Sequence, residues 1–275
     1  MRALVLSGGG AKGAYQLGCL RALIDRGQKW DVVVGTSVGA LNALGMAFLG
    51  IEEMEKIWFG IKSPKDIIKA NNWLSILLLK KRGYYSLEPL KKLLKSKLRY
   101  DMEPMMPAYF GVVDLKDTGI RFFPATRIME TNINSVIASS AMPAIMEPYK
   151  YDFVDGGVRD PLPLSFAVKQ LDAEEITVIS ATPIDRNIMG PWSPGHIKIL
   201  GHALRAIDIM SQEILWNDLS VCEMRNRDAK YKKIKLVAYA PEYPLVIDTL
   251  DFYPEKIRNA YAEGVDMANW PKMAF

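Results

Sequence analysis

The chain has 275 residues, of which 49% are apolar and 24% charged, enough to bury a full core; this composition excludes a disordered tail, a low-complexity scaffold and a repeat array. Its formal net charge of +4 is unevenly placed. Between Lys56 and Arg99 stand twelve Lys or Arg against two acids, Asp66 and Glu88, a net +10, while the remainder holds 23 basic against 29 acidic residues, a net −6.

The N-terminal run Ala3-Leu4-Val5-Leu6 reads as a buried strand entering the turn Ser7-Gly8-Gly9-Gly10. No apolar stretch with a small-residue cleavage site precedes it, so no secretory signal is expected. From Lys12 to Arg26, Tyr15, Leu17, Cys19, Leu20, Leu23 and Ile24 recur at helical spacing, with Gly27 as a stop. Asp31-Val32-Val33-Val34 is a second strand ending at Gly35, and a second helix starts at Val38 and runs through Leu41, Leu44 and Phe48. Strand, helix, strand, helix is the pattern of a parallel sheet with crossover helices.

Residues 51–105 read as a helical insertion or lid, with cap-type starts at Ser63-Pro64 and Ser86-Leu87-Glu88-Pro89 and no strand-like run. Basic residues there interleave with Trp58, Trp73, Tyr84, Tyr85, Tyr100 and the run Ile76-Leu77-Leu78-Leu79. Such a mixture over 56–99 suits an anionic membrane surface; equally, it describes solvated helices whose apolar faces pack on the core. Nucleic-acid binding is not expected, because no recognised nucleic-acid module accompanies the charge. The apolar run is far short of the roughly 20 residues that a spanning helix needs, so the chain reads as soluble or peripheral.

Ala108–Leu115 and Ile120–Ala125 flank Lys116-Asp117-Thr118-Gly119 and predict a hairpin. Strands near 151–154, 175–181 and 233–239 extend the sheet, with a long helix from about His196 to Arg225 between the last two. No linker divides the chain, which predicts one α/β domain over 1–275 with a mostly parallel central sheet flanked by helices. Cys19 and Cys222 lie in helical apolar patterns, which reads as buried reduced thiols and a cytoplasmic setting.

Two segments carry the chemistry. Gly35-Thr36-Ser37-Val38-Gly39 fits G-x-S-x-G where a strand passes into a helix, the setting of an exposed nucleophilic serine above a helix N-terminus. Gly8-Gly9-Gly10-Ala11-Lys12-Gly13 leaves backbone N–H groups unobstructed, for a cofactor's pyrophosphate or for the oxyanion of an acyl-transfer intermediate. A dinucleotide site wants an acidic residue at the end of the next strand, where this chain has Ser37, so the oxyanion reading is preferred. A P-loop is excluded because no Gly-Lys-Ser/Thr follows at the required spacing.

Ser37 needs a base. His196 and His202, at the start of the long late helix, are the only histidines; a Ser…Asp…His order is formally available, but a surface or helix-packing role is expected for both. Asp155, in Tyr151-Asp152-Phe153-Val154-Asp155-Gly156-Gly157, is the best carboxylate, since burial raises the basicity of such a group; an ordinary Asp-Gly turn explains the same letters.

The three segments, in this order, resemble the patatin-like phospholipases, with Ala138-Ser139-Ser140-Ala141-Met142-Pro143 similar to the stretch ahead of that family's aspartate motif. The resemblance covers residues 1 to about 182. It implies Ser37 as nucleophile, Asp155 as its base in a two-residue dyad, and the N–H groups of Gly8, Gly9 and Gly10 as the oxyanion hole. Lys12, Gly13, Gly35, Gly39, Gly156 and Gly157 fall on supporting positions, Lys12 serving either the loop or a phosphate. The activity implied is hydrolysis of fatty-acyl esters of membrane phospholipids, of phospholipase A or lysophospholipase type, without metal or cofactor. A neutral-lipid or soluble carboxylesterase and a non-catalytic lipid-binding effector are the alternatives. The sequence specifies no oligomeric state.

Overall fold

A computed structural model describes residues 1–78, 80–150, 152–190 and 198–275; Leu79, Tyr151 and residues 191–197, His196 among them, lie outside the described residues. The first half contains β1 (Arg2–Leu6), α1 (Gly13–Asp25), β2 (Val32–Thr36), α2 (Val38–Phe48), α3 (Ile51–Gly60), β3 (Lys69–Ala70), α4 (Trp73–Leu77), β4 (Tyr85–Ser86) and α5 (Glu88–Lys97). The second contains β5 (Ala108–Asp114), β6 (Ile120–Pro124), α6 (Met129–Ser139), β7 (Phe153–Asp155), α7 (Leu164–Lys169), β8 (Glu175–Ile179), α8 (Lys198–Arg227), β9 (Lys235–Tyr239), α9 (Pro254–Met267) and β10 (Met273–Ala274).

The strands form a mixed, mostly parallel sheet of order β10-β9-β8-β1-β2-β5-β6, with β7 also paired to β5. β1 runs parallel to β2 and β8, β2 to β5, and β8 to β9. The antiparallel partners are at the flanks, β10 on β9 and both β6 and β7 on β5. Helices cover both faces, which is why β1 and β2 are continuous apolar runs without alternation. Alternate side chains of β1 still divide between the faces: Leu4 and Leu6 enter the core beneath α1 and α2, while Ala3 and Val5 enter the one beneath α7 and α8. Each fully buried Leu or Val contributes about 1.5–3 kcal/mol, so covering both faces is what holds the central strands. Cys19 and Cys222 are free, buried in these two opposite cores, and burial pushes their thiols up to about 12 and about 11.

The insertion departs from the helical expectation. β3 and β4 form a two-residue antiparallel ladder (Lys69 opposite Ser86, Ala70 opposite Tyr85), too short to leave an alternating pattern in the sequence. The Ser63-Pro64 start opens only a 3-10 turn, Pro64–Asp66. α9 is an element beyond those expected from the sequence, although Pro254 and Glu255 mark its first turn; it buries Ile257, Ala260 and Gly264. Among the described residues no helix is long and apolar enough to cross a membrane.

Candidate active site

β5 brings the site together. β2 runs along one edge of β5 until Thr36 stands opposite Gly111, and β7 approaches along β5 from the other direction until Asp155 stands opposite Val112. Two segments more than a hundred residues apart thus end at adjacent positions of one strand. Ser37 and Asp155 are the residues at those ends.

Ser37 turns the chain from β2 into α2 with φ 56° and ψ −124°, a left-handed conformation that a non-glycine residue holds only when its surroundings impose it. Its N–H donates to Ser139 Oγ at 2.9 Å, and Ser139 Oγ donates to the Gly111 carbonyl at 2.6 Å. The turn is also crowded by backbone: a Cβ on Gly39 would lie 2.3 Å from the Leu6 carbonyl oxygen, and one on Gly35 would lie 2.2 Å from that of Gly39. Ser37 caps the N-terminus of α2, whose first N–H groups have no acceptor in the preceding turn and favour negative charge there.

Asp155 is buried, and its Oδ1 accepts the Gly157 N–H at 2.7 Å. Its other oxygen, Oδ2, is buried without a hydrogen-bond partner among the described residues. Burial pushes the carboxyl up to about 6, against the downward pull of the nearby Ser37 hydroxyl and of the Gly157 N–H. The Ser37 hydroxyl lies near this carboxyl without a hydrogen bond to Oδ2. Gly156 keeps the motif against β5, since a Cβ there would lie 2.4 Å from the Gly111 carbonyl oxygen.

The glycine loop follows β1, the neighbour of β2, so its tip and Ser37 share one end of the sheet. The Gly8 N–H donates to the Pro161 carbonyl at 2.9 Å and is not free to serve an oxyanion, which corrects the reading that all three glycines are donors. The N–H groups of Gly9 and Gly10 have no acceptor among the described residues. The Ala11 N–H is held by the Thr249 carbonyl at 2.9 Å, and Gly13 opens α1 against Val38.

Behind the loop lies a buried amide relay. Gln16 Nε2 donates to the Ser7 carbonyl at 2.8 Å, Asn42 Nδ2 donates to Gln16 Oε1 at 3.0 Å and to the Gly13 carbonyl at 3.1 Å, and Trp58 Nε1 donates to Asn42 Oδ1 at 3.1 Å. It connects the insertion, through Trp58 of α3, to both ends of the glycine loop.

Ser37 and Asp155 open into a cavity of about 370 Å³, bordered also by Gly8, Gly9, Met142 and Pro143 and walled by Ile207, Met210, Ile214 and Leu215 of α8. A second, smaller apolar space of about 40 Å³ borders Ser37 between Leu41, Ile67 and Leu90. Lys12 Nζ lies 3.7 Å from Asp208 Oδ1 on the cavity wall, tying the glycine loop to α8. His202 is exposed on α8 and does not border the cavity, and His196 lies outside the described residues. Among the described residues no group of three or more His, Cys, Asp or Glu is placed to hold a metal ion. Pro161, Thr249 and the α8 wall went unnoticed in the sequence because no local motif marks a residue that acts by contact alone. Ser139 belongs to the stretch ahead of the aspartate motif, but nothing local in the sequence marks its contact with Ser37.

The family model described as patatin-like phospholipase matches residues 4–168. Patatin-like phospholipase domain-containing protein 7 of Mus musculus is 28% identical over 172 residues, covering 60% of this chain and 12% of that protein. Probable lipid hydrolase 463L of Invertebrate iridescent virus 6 is 27% identical over 194 residues, covering 61% of this chain and 63% of that one. The chain thus spans less than two thirds of either relative. Among solved structures, VipD from Legionella pneumophila superposes with a TM-score of 0.48 at 17% identity, over 98% of this chain and 66% of that one. With the matched region covering more than half its length, the chain belongs to the patatin-like phospholipase family.

Proposed function

We propose that this protein is a lipid acyl hydrolase of phospholipase A or lysophospholipase type, working through a Ser37–Asp155 dyad. The observation that carries the reading is that a strained serine and a buried carboxyl whose Oδ2 has no partner among the described residues meet at adjacent positions along β5. With its ionisation near 6, Asp155 is mostly charged at neutral pH and basic enough to take a proton. Ser37 Oγ attacks the ester carbonyl as Asp155 accepts its proton, and the tetrahedral oxyanion is received by the N–H groups of Gly9 and Gly10, each donor worth about 3 kcal/mol. The protonated Asp155 then supplies the leaving alcohol or lysolipid with its proton. Asp155 next deprotonates a water that attacks the acyl-serine and releases the fatty acid, restoring both groups. The largely apolar cavity walls suit the lipid portion of the substrate.

The test combines labelling with product analysis. A fluorophosphonate probe labels Ser37, and fatty acid is released from phospholipid vesicles; Ser37→Ala abolishes both, and Asp155→Asn lowers release by at least about a thousandfold. Retained hydrolysis in either variant overturns the dyad. Cleavage of water-soluble esters alone assigns a carboxylesterase, and absence of both labelling and turnover assigns a lipid-binding effector.

A further inference from the structure

The basic segment at 56–99 is not one surface. α3 and α5 bury Ile51, Met54, Trp58, Leu90 and Leu94 in the core, so their lysines are the outer face of packed helices. The hairpin between them does the reverse. Trp73 is 72% exposed, Leu74 46%, Leu77 68% and Leu78 55%, so four large apolar side chains within six residues face solvent. Apolar side chains exposed singly are ordinary, whereas a contiguous group marks a surface that meets something apolar.

We propose that the hairpin Lys69–Ser86 is the element by which this protein docks on an anionic lipid bilayer, with Trp73, Leu74, Leu77 and Leu78 entering the headgroup boundary. No Asp or Glu occurs between Ile67 and Leu87, while Lys69, Lys80, Lys81 and Arg82 lie on the same hairpin. Lys69 and Lys80 are exposed, and Lys81 is ion-paired with Glu147 at 2.9 Å. Apolar tips flanked by cations match an anionic membrane, while a second copy of the same tip would bring like charges together.

The hairpin's base supports this role. Tyr85 N–H donates to the Ile145 carbonyl at 2.8 Å, Glu147 N–H donates to the Tyr85 carbonyl at 3.0 Å, and Asn71 Nδ2 closes the hairpin on the Gly83 carbonyl at 2.9 Å. Met142 and Pro143, immediately before that anchor, border the catalytic cavity. A bilayer holding the tip is therefore held by the same backbone segment that forms the cavity wall. The inference rests on the proposed lipid hydrolase activity for its purpose, and its test separates the two.

Vesicle co-sedimentation is measured on full-length Ser37→Ala, so that turnover cannot alter the membrane, with phosphatidylcholine vesicles with and without phosphatidylserine. The parent should sediment with the anionic vesicles and be released by salt. Adding Trp73→Ser, Leu77→Ser and Leu78→Ser should weaken binding by at least about tenfold, and Lys69→Glu with Lys80→Glu should abolish the preference for phosphatidylserine. In the active enzyme the serine triple variant should lose vesicle hydrolysis by a similar factor while keeping cleavage of a water-soluble short-chain ester, which also shows that it folds. Binding unchanged in both variants, or absent in the parent, overturns the proposal, as does a dimer in sedimentation velocity that the serine variant abolishes. A parent that binds vesicles but hydrolyses neither phospholipid nor soluble ester leaves the docking surface standing and removes the enzymatic reading.

Discussion

Ser139 holds the Ser37 turn by accepting its N–H at 2.9 Å, and its own O–H donates to the Gly111 carbonyl at 2.6 Å. One fully buried hydroxyl thereby connects α6, the end of β2 and the middle of β5, the three elements that meet at Ser37. Ser139→Ala leaves the Ser37 N–H and the Gly111 carbonyl without this partner, each worth about 1–3 kcal/mol when buried and unsatisfied. The expected result is a loss of about 2–4 kcal/mol in urea unfolding and a fall in kcat larger than any rise in KM. An unchanged kcat would mean that the glycine packing alone holds the turn.

Asp155 sets the pH dependence of the proposed reaction. Because its carboxyl is raised from 3.8 to about 6 by burial, kcat/KM should climb between pH 5 and 7 with an inflection near 6. An inflection near 4 would show that the carboxyl is solvated in the working enzyme.

The same shift has a cost in stability. Between about pH 4 and 6 the folded Asp155 binds a proton that the unfolded chain has released, so stability falls as pH rises through this window and stays reduced above it, by at most about 3 kcal/mol. Asp160, pushed up to about 8 by burial and by Asp218, acts in the same direction up to that pH. The informative comparison is therefore between variants: Asp155→Asn should be inactive yet more stable than wild type at pH 7, with the gap closing at pH 4. A variant that is less stable at pH 7 would sink this account of burial.

The two ends of the glycine loop should respond differently to one methyl group. At Gly8 a Cβ would stand 3.4 Å from Ser37 Cβ, an ordinary contact, whereas at Gly10 (φ 58°) it would lie 2.1 Å from the Thr249 carbonyl oxygen. Gly8→Ala should fold with Tm within a few degrees of wild type and lower kcat/KM by no more than about tenfold, through a methyl added to the cavity lining beside Ser37. Gly10→Ala should lose at least about 2 kcal/mol of stability from the left-handed backbone and the clash. Thermal unfolding and steady-state kinetics on the pair decide it.

Gln16 lies in the relay behind the loop and does not itself line the cavity, although it holds Ser7, which does. Gln16→Leu leaves the Ser7 carbonyl and the Asn42 amide without that partner, at an expected cost of about 2–4 kcal/mol. If the relay also positions the oxyanion donors, kcat falls while KM holds, and Trp58→Phe gives a weaker version of the same pattern. Equal loss of stability with kcat intact would make the relay purely structural.

What was legible from residues alone was whatever short-range sterics decide. Consecutive glycines after Leu6, a serine between Thr36 and Val38 at a strand-to-helix junction, and Asp155 followed by two glycines are local demands on backbone space, and each survives in the fold where the sequence placed it. The parallel sheet followed from the alternation of strand and helix over the first fifty residues, and in the fold runs such as Val32-Val33-Val34 are buried on both faces. Tertiary structure alone decided which of those groups meet. That β7 ends beside β2 on β5 is a matter of register between distant segments, and so is the capture of the Gly8 N–H by Pro161, which leaves Gly9 and Gly10 as the available donors. The basic segment divided in the same way: its composition is uniform, but only packing determines that Trp58 and Leu94 turn inward while Trp73 and Leu77 remain in water. Pattern records what a residue can do with its neighbours in the chain; long-range contact determines which donors, charges and apolar faces are left over for function.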